Sequence, residues 1–196
     1  MSRLESSLER PHRTLSSREV GRAERLALVL DEVELPDGAR HQYRWFRATS
    51  AAFIVPVFDD LSTVLVRQWR HPWGQTSWEV PAGTLEEGED PLQCARRELA
   101  EEAGLRATEW TPLGVLRPSA LMDSRQHIFL ARGLVEVERA PEVYEGDMIV
   151  RRLPLAEALA EALGRPEGAP PGWRAGIVHA TAVSALVRAG RAAGLL

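Results

Sequence analysis

Apolar and polar positions divide the chain into short blocks that alternate with turn signals. Leu26-Ala27-Leu28-Val29-Leu30 is an apolar run that passes into alternation through Val33 and Leu35, and Pro36-Asp37-Gly38 then marks a turn. Tyr43 to Phe46 reads as the returning strand, so this region predicts an N-terminal antiparallel hairpin. Ala51 to Phe58 reads as a buried strand, Asp59-Asp60 as a turn, and Thr63 to Gln68 as the partner of that strand. His71-Pro72-Trp73-Gly74 breaks the pattern, Trp78-Glu79-Val80 is a short strand, and a Gly-rich acidic loop runs from Gly83 to Glu89.

The best-marked helix follows that loop. Asp90 suits the N-cap, Pro91 the first turn and Gly104 a left-handed C-terminal cap, while Leu92, Ala95, Leu99 and Ala103 form one apolar stripe. Val115-Leu116, His127 to Ala131 and part of Val143 to Leu153 are further strands. Leu155 to Leu163 predicts a short helix, Gly164 to Gly172 a loop, and Ile177 to Ala192 a final amphipathic helix. Strands interleaved with two or three helices indicate a layered α/β or α+β domain. The domain organisation read from these blocks is a flexible lead-in over 1–18, a hairpin over 19–47 and one main domain over 48–196.

Composition narrows the function. Of 196 residues 44% are hydrophobic and 27% charged, which excludes a disordered chain. The net charge of -4 lacks the basic footprint of a nucleic-acid binder. Every one of the 24 basic residues is Arg, so lysine Schiff-base and P-loop chemistry are excluded. A single cysteine, Cys94, rules out an intrachain disulfide and a Cys-rich zinc site; it reads as a small buried hydrophobe and points to a cytoplasmic protein. No apolar run approaches the roughly 18 residues of a membrane span, and the first residues lack a signal-peptide core.

The candidate chemistry lies in the acidic loop and its helix. Glu98 and Glu102 are four residues apart and share a helix face, with Glu101 beside them. Like charges at that spacing destabilise a helix by a few tenths of a kcal/mol, and Glu86, Glu87 and Glu89 add to the repulsion. A hard divalent cation would relieve it, and Mg²⁺ suits oxygen ligands. A solvated acidic face is the commoner meaning of paired glutamates. Here the carboxylates follow a Gly-bearing loop, and Arg97, four residues before Glu101, is placed to hold one of them.

The same segment resembles the Nudix box. Gly83, Glu89, Arg97, Glu98, Leu99, Glu101, Glu102, Gly104 and Leu105 match every fixed position of that motif. A chance match is roughly one in 10⁶ over the chain at ordinary residue frequencies. The resemblance implies the Nudix α/β/α sandwich with a mixed sheet, and hydrolysis of a nucleoside diphosphate linked to another moiety. It implies Mg²⁺, with Mn²⁺ as its substitute, on Glu98 and Glu102 with Glu101 assisting, and the carbonyl of Ala82 as a further ligand. It implies that Arg97 orients the glutamates, and that Gly83 and Gly88 let the loop approach the metal.

Arg67-Gln68-Trp69-Arg70 and Trp78-Glu79-Val80-Pro81-Ala82-Gly83 resemble the ADP-ribose pyrophosphatase branch of that family. By that resemblance Arg70 contacts the diphosphate, Glu79 lines the substrate pocket, and the hairpin at 26–46 is exchanged in a homodimer. Arg117 to Ser124 lacks the branch's usual Pro-Gly pair, although Met122-Asp123 resembles part of the loop in some members. Other nucleoside diphosphate sugars therefore stay open as substrates. So do dinucleoside polyphosphates, and so does a ligand-sensing module without turnover. The family's late acidic base falls among Glu142, Glu145 and Asp147, with Glu145 favoured and Glu142 next. Trp45 and Phe46 read either as core packing or as a purine-stacking platform offered across a dimer. His71, His127 and His179 have no metal-ligand spacing, and Ser119 and Ser124 lack the partners of a nucleophile.

Overall fold

The computed structural model describes residues 12–139, 148–164 and 176–196. Its strands are β1 (Arg13–Ala23), β2 (Leu26–Glu34), β3 (Arg40–Ala48), β4 (Ala51–Pro56), β5 (Ser62–Arg70), β6 (Gln75–Glu79), β7 (Ala82–Thr84), β8 (Leu105–Leu116), β9 (Met122–Asp123), β10 (Gln126–Glu136) and β11 (Ile149–Pro154). The helices are α1 (Pro91–Ala103), α2 (Leu155–Ala162) and α3 (Ala180–Ala192), with a single 3-10 turn at His71–Trp73.

The chain forms two compact units. One holds the described residues up to Thr49 together with Ser119–Ser124, and its sheet runs β1-β2-β3-β9. The predicted hairpin is its β2–β3 pair, registered Leu26↔Ala48 through Glu34↔Arg40. The turn forms as read: Gly38 N–H donates to the Leu35 carbonyl at 2.9 Å and Ala39 N–H to Asp37 Oδ1 at 3.0 Å. From Arg13 onward, however, the stretch read as lead-in is strand β1, paired antiparallel with β2. Its side chains are almost all exposed. A strand that buries nothing leaves no hydrophobic alternation, and its backbone pairing is invisible in the residue types.

The second unit holds Ser50–Pro118 and the described residues from Arg125 onward, in two sheets ordered β7-β4-β10-β8 and β11-β5-β6. Every residue of β4 is buried. Ala51, Phe53 and Val55 face a core with Leu155, Leu159, Ala182 and Leu186 of α2 and α3. Ala52 and Ile54 face Cys94, Ala95 and Leu99 of α1. In β10, Ile128 and Leu130 join the first core, and Phe129 and Ala131 the second. Helices on both faces of a mixed sheet make the expected α/β/α sandwich, and burial of both faces explains the unbroken apolar run at 51–56.

The same double burial hid the pairing of β5. Thr63 to Gln68 is strand, but it does not form a hairpin with β4. A single bridge, Val57↔Thr63, joins the two segments before β5 leaves to pair with β11 and β6. β4 instead pairs parallel with β10 and antiparallel with β7. The Asp59-Asp60 turn closes locally, since Asp60 Oδ1 accepts from both the Ser62 amide and hydroxyl.

Helix α1 is built as its residues predict. Asp90 Oδ1 accepts from the amides of Leu92 and Gln93, and Gln93 Oε1 accepts from the Asp90 amide, closing a capping box. Gly104 ends the helix at φ 66°. Helix α3 begins at Ala180 rather than Ile177 because His179 caps it, its Nδ1 accepting from the Ala182 amide. No described helix is long and apolar enough to cross a membrane.

Candidate active site

The capped start of α1 directs its carboxylates toward the incoming loop, and Arg97 collects them. Arg97 Nε and Nη2 donate to Oε1 and Oε2 of Glu89 at 3.0 Å each. Nη1 donates to Glu98 Oε1 at 2.7 Å and to Glu101 Oε2 at 3.1 Å, and Nη2 also reaches the Thr84 carbonyl at 3.2 Å. One guanidinium thus holds three carboxylates and the loop backbone. Helical spacing alone places Arg97 to hold one carboxylate and the family resemblance has it orient the glutamates, while Glu89 reads from the sequence as one of the repelling loop carboxylates and not as a partner of Arg97. The loop folds back onto the helix and turns Glu89 into the partner that engages Arg97 with both oxygens, a geometry only the guanidinium fork allows.

These charges are partly removed from water. The side chain of Glu98 is 9% exposed and that of Glu89 13%, against 30% for Glu101. The Arg97 hydrogen bonds hold the Glu89 carboxyl below its ordinary range, and Glu89 in turn does most to raise the guanidinium above its own. Glu102 is buried, and its Oε2 accepts from the Ala82 amide at 2.8 Å, tying α1 to β7. The Cys94 thiol is buried beneath the loop against the Gly83 carbonyl, and burial pushes it up to about 12. It is an inert packing group, as the sequence suggested.

Among the described residues no three His, Cys, Asp or Glu side chains meet closely enough to hold a metal ion. Glu98 and Glu101 instead meet on the Arg97 Nη1. Two convergent carboxylates are a donor set that fits magnesium, which keeps several waters and takes one or two carboxylates plus substrate phosphates.

Arg70 and Glu79 form a second cluster in the same unit. Two bonds of 2.7 Å join the guanidinium to both oxygens of Glu79, which is 1% exposed. Beside this pair stands His179, to which the sequence reading gave no role. Its ring stacks on Phe53 at 5.4 Å and lies 5.7 Å from Trp73. Burial pushes its imidazole below the ordinary histidine value; the Glu79 charge opposes that and the Arg70 charge adds to it. A usable signal existed, because a polar residue directly before an Ala-rich apolar helix is a capping position. The depressed value means His179 supports folding above about pH 6.5, and that support is lost as pH falls toward its folded-state value. Protonation also removes the Nδ1 acceptor. Thermal melts should therefore show a drop in Tm between pH 7 and pH 5 that shrinks in His179→Asn, which keeps a cap but cannot titrate.

In the other unit, Phe46 lies beside Met122, and Arg47 beside Asp123, where β3 runs parallel to β9. The Phe46 amide donates to the Leu121 carbonyl at 2.7 Å. Trp45 is engaged elsewhere, its indole N–H donating to Asp31 Oδ2 at 2.7 Å. Adjacent strand residues point to opposite faces, so the Trp45 and Phe46 rings do not form one platform. Glu142, Glu145 and Asp147 lie outside the described residues.

A two-faced mixed α/β sandwich with a glutamate-bearing loop and helix locked by one arginine defines a Nudix-type hydrolase fold. Residues 47–171 match the NUDIX domain, and the chain belongs to the Nudix family. It is 36% identical over 159 residues to the ADP-ribose pyrophosphatase of Mycobacterium tuberculosis (strain ATCC 25618 / H37Rv), covering 79% of this chain and 76% of the relative. It is 32% identical over 149 residues to the ADP-ribose pyrophosphatase of Bacillus subtilis (strain 168), covering 75% and 80%. A solved structure described as an ADP compounds hydrolase superimposes with a TM-score of 0.77 at 25% identity, covering 95% of this chain and 98% of that one. These likenesses make the chain a Nudix pyrophosphohydrolase.

Proposed function

We propose that the protein hydrolyses the pyrophosphate of ADP-ribose or a related nucleoside diphosphate sugar, releasing a nucleoside monophosphate and a sugar phosphate. The observation that carries this reading is the Arg97 clamp on Glu89, Glu98 and Glu101, which holds an acidic array next to the loop that begins at Gly83. The relatives' names supply the substrate class. Mg²⁺, or Mn²⁺ in its place, would be held by the convergent Glu98 and Glu101, with Glu102 and the Ala82 carbonyl as the further ligands that the family resemblance implies. When bound, it supplies Lewis acidity and a bridge between an acidic helix and an anionic diphosphate.

The protein's own residues divide the remaining work. Arg97 positions the glutamates. Arg70 binds the diphosphate, with Glu79 fixing the direction of its guanidinium. Phe46, Met122 and Asp123 bind the nucleoside or the terminal sugar, with Trp45 bracing their strand. An acid of the 142–147 segment, Glu145 first and Glu142 second, accepts the proton of the attacking water. We further read residues 48–196 as the hydrolase domain, 19–47 as an element exchanged in a homodimer, and the cytoplasm as its location.

The test is a hydrolysis screen with and without Mg²⁺ over ADP-ribose, ADP-glucose, GDP-mannose, UDP-glucose, NADH, diadenosine polyphosphates and dNTPs. Metal-dependent AMP release, fastest from ADP-ribose, is the expected result. A faster rate on another nucleotide sugar moves specificity to residues 117–124 and keeps the mechanism. Absence of turnover on every compound overturns the proposal.

Gly83 offers a finer check. A Cβ there would fall inside the Glu98 carboxyl group. Glu98 can swing its carboxyl aside, but only by leaving Arg97. Gly83→Ala should therefore cost only about 1–3 kcal/mol in urea unfolding, the worth of one charge-assisted hydrogen bond. Misplacement of the carboxylate should lower kcat by about 10²-fold.

A further inference from the structure

Arg96 and Arg97 are neighbours in sequence but stand about 100° apart around α1, and their situations are opposite. Arg97 is saturated by three carboxylates. Arg96 points to a cavity of about 170 Å³ that it lines together with Arg106, Ala107 and Trp110. Arg106, Ala107 and Trp110 come from β8, the strand that follows α1 directly. Among the described residues, neither Arg96 nor Arg106 has an ion-pair or hydrogen-bond partner. Two exposed arginines therefore line one recess, and among the described residues that line it there is no carboxylate, in a chain whose net charge is -4. Two cations that line one recess repel each other, and an anion shared between them relieves that repulsion.

The Trp110 part of the lining is fixed. Trp110 donates its indole N–H to the Ala107 carbonyl at 3.2 Å and meets Phe129 edge-on at 6.3 Å, so its ring is held from two sides. The size of the cavity selects among anions. Drug-sized ligands take pockets of about 300–1,000 Å³, so this recess of about 170 Å³ encloses only a part the size of one phosphate group. A single tetrahedral oxyanion fits, and arginine forks match phosphate oxygens in pairs.

We infer that the Arg96–Arg106–Trp110 cavity is an accessory binding site for one phosphate group, taken as free phosphate or as the head of a phosphate monoester. It is separate from the glutamate array and does not depend on how that array is read.

Trp110 makes the site its own reporter. Inorganic phosphate is titrated into the full-length protein at constant ionic strength with EDTA present. Tryptophan fluorescence is followed for wild type, Arg96→Ala, Arg106→Ala, Trp110→Phe and Arg70→Ala. Wild type and Arg70→Ala should give the same saturable change. Trp110→Phe should lose it, and each of the other arginine variants should need at least about tenfold more phosphate. Because Trp110 also packs on Phe129, calorimetric titration of phosphate gives the same comparison without relying on that variant. Competition by glucose 1-phosphate identifies a monoester head as a ligand, and failure to compete identifies free phosphate. Unchanged phosphate affinity in both Arg96→Ala and Arg106→Ala overturns the inference. So does an equal signal from chloride, or loss of the signal in Arg70→Ala alone.

Discussion

Glu98→Gln should lower kcat by at least about 10³-fold, or about 4 kcal/mol of transition-state stabilisation, while the protein stays folded. The two parts of that expectation come from different atoms. Glu98 Oε1 accepts from Arg97 Nη1 at 2.7 Å, and glutamine presents a carbonyl oxygen to the same donor. Folding therefore exchanges a charge-assisted bond for a neutral one, a loss of about 1 kcal/mol. Catalysis loses more, because an amide neither neutralises a divalent cation nor places a full negative charge against it. Steady-state kinetics at saturating Mg²⁺ and urea unfolding of the same preparation check both halves. Near wild-type turnover would remove Glu98 from the chemistry. A collapse in stability would make its role structural.

Which parts of this molecule were readable in the residues follows from what each part buries. Helix α1 was fully legible: Asp90, Pro91 and Gly104 mark its ends and Ala95 and Leu99 its buried stripe, because caps and periodicity are local properties. The strand character of 51–56 was legible from its unbroken apolar run. Its partners were not, because a strand buried on both faces carries no alternation to say which neighbour lies on which edge. β1 escaped for the opposite reason, having almost no buried side chain. At the site, the helical glutamates and Arg97 stand together because four-residue spacing is local. The capture of Glu89 by Arg97 depends on how the 83–89 loop folds back, which spacing alone does not express. The Arg70–Glu79 fork and His179 come from three separate elements, and only the tertiary fold brings them into one neighbourhood.

Arg97→Met should be the most destabilising single change at the site. It retains the length of the side chain and strands three carboxylates that had shared one cation. Breaking a fully buried pair costs about 3–5 kcal/mol, but the Arg97 side chain is 24% exposed and water screens part of the loss, so about 2–3 kcal/mol is expected at pH 7. The pH dependence identifies the cause. Glu89 titrates below its ordinary 4.5 because Arg97 bonds to it. The stability this supplies is fully present above about pH 4.5 and is lost as pH falls through the lower folded-state value. The difference between wild type and Arg97→Met should thus be large in urea unfolding at pH 7 and should shrink as pH falls below about 4.5 toward 3. Arg97→Lys separates charge from geometry. It restores a cation, and with it part of the stability, but an ammonium cannot fork onto Glu89 while also holding Glu98 and Glu101. Its kcat should stay well below wild type even where its stability recovers. Equal stability losses at pH 7 and pH 3 would show that Arg97 acts through packing, and full activity in Arg97→Lys would show that the placement of the glutamates does not depend on the fork.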